Sequence, residues 1–211
     1  MDPLQEYISR HSQPQDEVLS WLETQTHYRT IHPRMLSGEP MGGFLTLFVQ
    51  MISAARILEI GTFTGYSAIC MARGLPEGGL LDTIEIFDEQ QDLIQEAFKR
   101  AGVLERVHLH IGDALTVIPL LAAQGATYQM VYIDGNKREY SAYYKAVKPL
   151  VSPGGYILAD NVLWDGKVLD STATDAQTKG ILAFNDLVAN DPDVFNVLLP
   201  LGDGLMLCKK L

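Results

Sequence analysis

Cysteine is scarce in this chain. Cys70 and Cys208 are the two present, each set in an apolar run. Two thiols so placed exclude a disulfide framework and read as buried groups of a reducing compartment. Basic residues are in deficit as well: 16 Lys and Arg stand against 26 Asp and Glu, a formal net charge of −10. That balance disfavours nonspecific attraction to nucleic acid or an anionic membrane, while leaving room for a local basic patch. Long apolar runs are missing, and none approaches the ~20 residues that a membrane-spanning helix needs. No charged start followed by an apolar stretch marks a leader, so a cytoplasmic protein with no membrane partner is expected. His and Cys are not clustered for zinc. The chain also lacks the G-x-G-x-x-G of dinucleotide folds and any phosphate loop ending in Gly-Lys-Ser/Thr. Nicotinamide dehydrogenases and nucleoside triphosphatases are disfavoured accordingly.

What is present is organised around Arg56 to Leu75, RILEIGTFTGYSAICMARGL. Ile57, Leu58 and Ile60 read as a buried strand, Gly61 and Gly65 break it, and Ala68, Ile69, Met71 and Ala72 read as a helix. A glycine at the end of a strand lets a ligand approach the backbone, and the following helix start offers free N–H groups. Such a turn suits a ligand with ribose hydroxyls, a carboxylate or a phosphate. A plain βα turn with no ligand fits the same residues.

The 211 residues suffice for one domain with a sizeable core, expected over 1–211. Residues 1–55 are helical in character: Val18, Leu19 and Leu22 in one helix, Phe44 to Ile52 in a second, and a Pro- and Gly-rich loop, IHPRMLSGEPMGG, between them. This lead-in is expected to cover the main sheet or a partner subunit. Strands and helices then alternate over 56–211. Strands are expected at Leu80–Ile86, Val107–Ile111, Met130–Ile133, Gly155–Ala159, Val194–Leu199 and Leu205–Cys208. Helices are expected at Asp88–Ala101 with Asp88 as N-cap, Leu115–Ala123, Ser141–Leu150 and Lys179–Asn190. The series predicts a Rossmann-like α/β fold: a seven-stranded, mainly parallel sheet with helices on both faces. The last strand is antiparallel, paired as a hairpin at the sheet edge.

In open α/β sheets ligands bind outside the carboxyl ends of the strands. Those ends carry Glu59 and Gly61, Glu85, Asp113, then Asp134, Asn136 and Lys137, and last Asp160 and Asn161. Glu85 is placed to accept the two hydroxyls of a ribose. Asp113 is placed for an adenine amino group, for capping the next helix, or both. Asp134, Asp160 and Asn161 offer three oxygen ligands, which suit a hard cation such as Mg²⁺. An Asx turn at Asp160-Asn161 is the plainer reading. Lys137 reads either as a candidate base or as a surface lysine.

LEIGTFTGYS, Glu85, GDAL, the D-x-x-K-x-x-Y of Asp134, Lys137 and Tyr140, and DNVLWDGKV occur in one order over roughly 35–167. This set resembles the class I S-adenosylmethionine-dependent O-methyltransferases. The likeness is to their cation-dependent catechol and caffeoyl-CoA branch and its small bacterial relatives. The resemblance implies a cofactor site of Met35, Ser37, Glu59, Gly61, Ser67, Glu85, Asp113, Ala114 and Asp134. It implies a divalent-metal site of Asp134, Asp160 and Asn161, with Lys137 and Asp134 as catalytic residues. Tyr143 and Trp164 fall near the expected substrate mouth. The expected acceptor is a vicinal diol on a small hydroxylated aromatic molecule. The alternative is a hydroxylated uridine in tRNA, for which Arg29, Arg34, Arg138 and Lys167 would have to form a basic path. A homodimer is the expected assembly.

Overall fold

The computed structural model describes residues 3–211; Met1 and Asp2, the first residues of the expected domain, lie outside the described residues. Three helices lead in: α1 (Pro3–Arg10), α2 (Glu17–Arg29) and α3 (Gly38–Ile52). The alternating part follows as β1 (Arg56–Ile60), α4 (Tyr66–Gly74), β2 (Leu80–Glu85), α5 (Gln91–Arg100), β3 (Val107–Ile111) and α6 (Ala114–Ala123). It continues as β4 (Tyr128–Ile133), α7 (Tyr140–Val147), β5 (Val151–Ala159), α8 (Ala176–Ala189), β6 (Val194–Leu199) and β7 (Leu205–Lys210).

One seven-stranded sheet runs in the order β3-β2-β1-β4-β5-β7-β6. The pairs β1–β2, β1–β4, β2–β3 and β4–β5 are parallel, and β7 runs antiparallel to both β5 and β6. The antiparallel strand is therefore not the edge. It inserts between β5 and β6, and β6 closes the sheet. β1 sits at its centre, where every residue after Arg56 is buried. Its near-continuous apolar run reflects a strand covered on both faces.

Alternate residues of each strand feed two cores. Ile57, Leu81, Tyr132 and Leu158 pack under α2 to α5 with Leu22, Leu45, Ile69 and Phe98. Leu58, Ile84, Val131 and Ile157 pack under α6 to α8 with Ile118, Tyr144 and Phe184. The lead-in thus belongs to one helical layer of the sheet. Thr26 Oγ1 meets Thr64 Oγ1 at 2.9 Å, Arg73 pairs with Asp16 at 2.5 Å, and Arg29 pairs with Asp92 at 2.6 Å.

Several boundaries differ from the sequence reading: β5 begins at Val151 and α8 at Ala176, ahead of the expected Gly155 and Lys179, and α7 ends at Val147 rather than Leu150. α3 begins at Gly38, inside the stretch expected to be loop. Pro40 falls in its first turn, where the missing N–H has no helical acceptor to lose. Gly42 is needed for packing, because a Cβ there would press within 2.8 Å of Cys70 Sγ and the Tyr66 ring. Asp88 does not cap α5. Its carbonyl takes the Gln91 N–H in a turn, and the helix opens three residues later than expected, without a side-chain cap. No helix among the described residues is long and apolar enough to cross a membrane.

Candidate active site

The carboxyl ends of β1, β2, β4 and β5 open onto a cavity of about 990 Å³. Its rear wall is the glycine turn. Gly61 and Gly65 adopt φ of +100° and +97°, and Phe63 between them adopts +52°. That turn aims the Phe63 N–H at Glu85 Oε2, 2.7 Å away, while the Phe87 N–H donates to Oε1 at 3.1 Å. Both oxygens of Glu85 are thus oriented by backbone, and each keeps a lone pair for a ligand. Burial pushes the Glu85 carboxyl up, against the pull of these N–H bonds. Gly61 has a more local reason than ligand approach. A Cβ there would collide with the Asp134 carbonyl, and the Asp134 N–H donates to the Ile60 carbonyl at 2.8 Å. The glycine lets the end of β4 dock against the end of β1.

Beneath the turn lies Glu59, fully buried. Ser67 Oγ and Thr83 Oγ1 donate to its two oxygens, each at 2.5 Å. Burial raises its carboxyl from 4.5 to about 7, the two hydroxyls lower it, and the charges of Asp134 and Glu85 raise it further.

The β4 and β5 ends carry the second group. Lys137 is only 8 % exposed. Its Nζ donates to Asp134 Oδ1 at 2.7 Å and to the Tyr140 hydroxyl at 2.5 Å. Tyr140 in turn donates to the carbonyls of Asp160 at 2.9 Å and Ile133 at 3.2 Å. Burial, then the charges of Asp134 and Asp160, hold the Tyr140 phenol protonated. Gly180 of α8 leaves room for the Lys137 turn, because a Cβ there would strike the Lys137 carbonyl. The Asp160 carboxylate accepts from the Tyr132 hydroxyl and from the Asn161 N–H, both at 2.7 Å. Burial and the neighbouring Asp134 charge raise its carboxyl above the usual range. Among the described residues no group of three or more His, Cys, Asp and Glu side chains is arranged for a metal ion; Asp134 and Asp160 are two carboxylates, joined by an amide at Asn161.

The mouth is built from loops. Arg29 at the end of α2, with residues 30–32 and 34–37 between α2 and α3, lines one side. Tyr143, Trp164, Gln177 and Asp203 line the other. Asn161, Trp164 and Asp165 adopt φ of 58°, 50° and 53°. Left-handed backbone in non-glycine residues costs about 1–3 kcal/mol each, so this loop is held by its surroundings. The Trp164 indole N–H is buried without a hydrogen-bond partner.

Most of the residues singled out from the sequence converge here. Met35, Ser37, Gly61, Ser67, Glu85, Ala114, Asp134, Lys137, Asn161, Tyr143 and Trp164 all line the cavity. Glu59 and Asp160 lie behind the wall, and Asp113 is turned away. Its carboxylate caps α6 by accepting the Leu115 N–H at 2.9 Å. Sequence reasoning assigned no role to Phe63, Tyr132, Gly180 or Asp203, and none to Tyr140 beyond its motif. For Tyr140 the spacing of three residues after Lys137 was the available signal. The contacts of the others join segments too distant in sequence to be read from it.

A family model described as O-methyltransferase matches residues 9–211. Catechol O-methyltransferase of Niastella koreensis is 38% identical over 159 residues, covering 75% of this chain and 72% of that protein. Caffeoyl-CoA O-methyltransferase 2 of Populus trichocarpa is 32% identical over 188 residues, covering 84% and 75%. Among solved structures, TomG of Streptomyces achromogenes, an O-methyltransferase involved in tomaymycin synthesis and solved with SAM, superposes with a TM-score of 0.91. It is 34% identical and covers 98% of this chain and 95% of its own. The O-methyltransferase of Bacillus cereus, solved with SAH, gives a TM-score of 0.90 at 31% identity, covering 99% and 97%. With the family match over nearly its whole length and the glycine-turn cavity in place, the chain belongs to the S-adenosylmethionine-dependent O-methyltransferases.

Proposed function

We propose that this chain transfers a methyl group from S-adenosylmethionine to one hydroxyl of a catechol-like vicinal diol, with a divalent cation, Mg²⁺ foremost, at Asp134, Asp160 and Asn161. One observation carries the reading: Asp134 and Lys137, the latter anchored by buried Tyr140, line the cavity that the glycine turn also lines.

The residues fit both groups. The glycine-turn half of the cavity carries Glu85 and Glu89 on its wall. A sulfonium cation suits a position beside those carboxylates. Met35, Ser37, Gly61, Ser67, Glu85 and Ala114 would hold S-adenosylmethionine, with Glu59 and Asp113 as supports. Asp134 and Asp160 place two carboxylates beside one lysine, and burial together with the Asp134 charge pushes the Asp160 carboxyl up. An all-oxygen donor set of this charge suits a hard cation. When bound, the cofactor supplies an electrophilic methyl group, and the cation supplies Lewis acidity toward the diol.

The chain's own residues do the rest. Lys137 Nζ, gripped by Asp134 and Tyr140, takes the proton of the acceptor hydroxyl as the neutral amine, and the ammonium so formed faces the developing oxyanion. Tyr140 stays protonated and fixes Lys137 relative to both strand ends. Tyr143 and Trp164 flank the acceptor ring, and the cavity as a whole contributes proximity and orientation. The tRNA reading is not favoured, since Arg29 is engaged by Asp92 and Lys167 lies over the Trp164 ring at 5.8 Å. The free, buried Cys70 and Cys208 support a cytoplasmic setting. Exposed Tyr28, Ile31, Leu47 and Met51 support a homodimer through the lead-in, with the whole chain acting as one methyltransferase unit.

The test is a methyl-transfer screen over catechols, hydroxycinnamoyl thioesters, flavonoids and tRNA. Turnover of the vicinal diols is expected. Turnover of tRNA alone would replace this reading.

A further inference from the structure

We propose that Asp203, in the turn between β6 and β7, is a positioning residue that sets the acceptor wall of the cavity by holding Trp164 in place.

The loop 161–166 is closed by one internal backbone bond, from the Gly166 N–H to the Leu163 carbonyl at 3.1 Å, set against a strained backbone. Four of its six residues, Asn161, Trp164, Asp165 and Gly166, have positive φ, and three of these are not glycine. Its further support comes from about 40 residues downstream. The Leu163 N–H donates to the Asp203 carbonyl at 2.9 Å, and the Val162 N–H to the Gly204 carbonyl at 3.0 Å. The Asp203 carboxylate accepts the Asp165 N–H at 2.7 Å. That N–H belongs to the peptide that follows Trp164. Holding it fixes the backbone from which the indole projects. Gly204, at φ +89°, allows the approach, because a Cβ there would strike Leu163. From the other side Asn185 of α8 donates to the Val162 carbonyl at 2.9 Å. Trp164 and Asp203 both line the cavity, and the indole N–H is left without a partner. The hairpin turn therefore does more than join two strands. It clamps the left-handed loop that follows Asp160 and Asn161.

The kinetic part of this inference rests on the acceptor class proposed above; the geometric part does not. Trp21 is the other tryptophan, and it packs under Arg100 at 4.1 Å, apart from the cavity. In a Trp21→Phe background the emission reports Trp164 alone. Asp203→Ala is expected to raise acrylamide quenching of Trp164 about twofold and to shift its emission to the red, since an unsupported wall residue loosens. Asp203→Asn keeps an acceptor oxygen and is expected to match the parent. With catechol as the probe acceptor and Mg²⁺ present, Asp203→Ala should raise KM about tenfold with kcat little changed. Cofactor affinity by calorimetry should stay at the parent value. Failure of the parent itself to methylate catechol would count against the acceptor class, and the quenching result would still decide the role of Asp203. Unchanged quenching in Asp203→Ala overturns the proposal. So does an Asp203→Asn variant as defective as the alanine, which would mean that the charge, not the hydrogen bond, is what matters.

Discussion

The hydroxyl of Tyr140 lies 2.5 Å from Nζ of Lys137, and the same hydroxyl donates to the carbonyls at the ends of β4 and β5. Lys137 is thereby tied to two strand ends through one phenol. Its other polar contact is Asp134.

Tyr140→Phe removes that tie and keeps the ring. Lys137 would retain Asp134 but lose its second anchor, and the Asp160 carbonyl would lose a donor. We expect kcat to fall about 10- to 100-fold, as a displaced proton-handling group commonly does. A stability loss of about 1–3 kcal/mol is expected from the buried hydrogen bonds lost. Calorimetric affinity for S-adenosylmethionine should not change. An unaltered kcat would mean that Lys137 is not held by Tyr140 in any way that matters.

Gly61→Ala tests why the glycine turn is glycine. The position has φ of +100°, and a Cβ would meet the Asp134 carbonyl. The variant should lose about 2–3 kcal/mol in urea unfolding without any ligand present. Full stability with only cofactor affinity lost would mean instead that the glycine serves ligand approach alone.

Glu59 makes the apo protein pH-sensitive. Its carboxyl is raised from 4.5 to about 7, chiefly by burial. The folded state therefore holds the proton more tightly than the unfolded chain. Its contribution is fully present below about pH 4.5, declines as pH rises from there, and is gone above about 7, a change of about 3 kcal/mol. Glu59→Gln has no proton to lose. Urea unfolding of the two proteins at pH 5 and pH 8 should show the wild type losing more stability over that range than the variant. Parallel losses would contradict the assignment.

The parts of this molecule legible in the sequence are those that depend on local pattern. The buried run Ile57–Ile60, the alternation of strands and helices and the acids at strand ends all follow from periodicity and position. The β7 insertion between β5 and β6 was not legible, because strand order is set by pairing across many residues. Nor was the start of α3, where Gly42 answers to Cys70 and Tyr66 on a different helix. The site divides in the same way. Glu85, Asp134 and Lys137 were placed by their strand ends. Asp113 faces its own helix, and Glu59 and Asp160 stand behind the wall, distinctions that side-chain packing decides. Tyr140 and Asp203 act through hydrogen bonds to backbone that no spacing rule connects.

The proposed reaction makes methyl transfer depend on a divalent cation at Asp134, Asp160 and Asn161. The most direct measurement is methylation of catechol by the wild type and by Asp160→Ala, each with EDTA and after Mg²⁺ is restored, alongside calorimetric cofactor affinity. We expect wild-type turnover to vanish in EDTA and return with Mg²⁺. Asp160→Ala should stay inactive in both conditions while still binding S-adenosylmethionine. Undiminished wild-type turnover in EDTA, or an Asp160→Ala protein that binds metal normally but has lost the cofactor, would contradict the account.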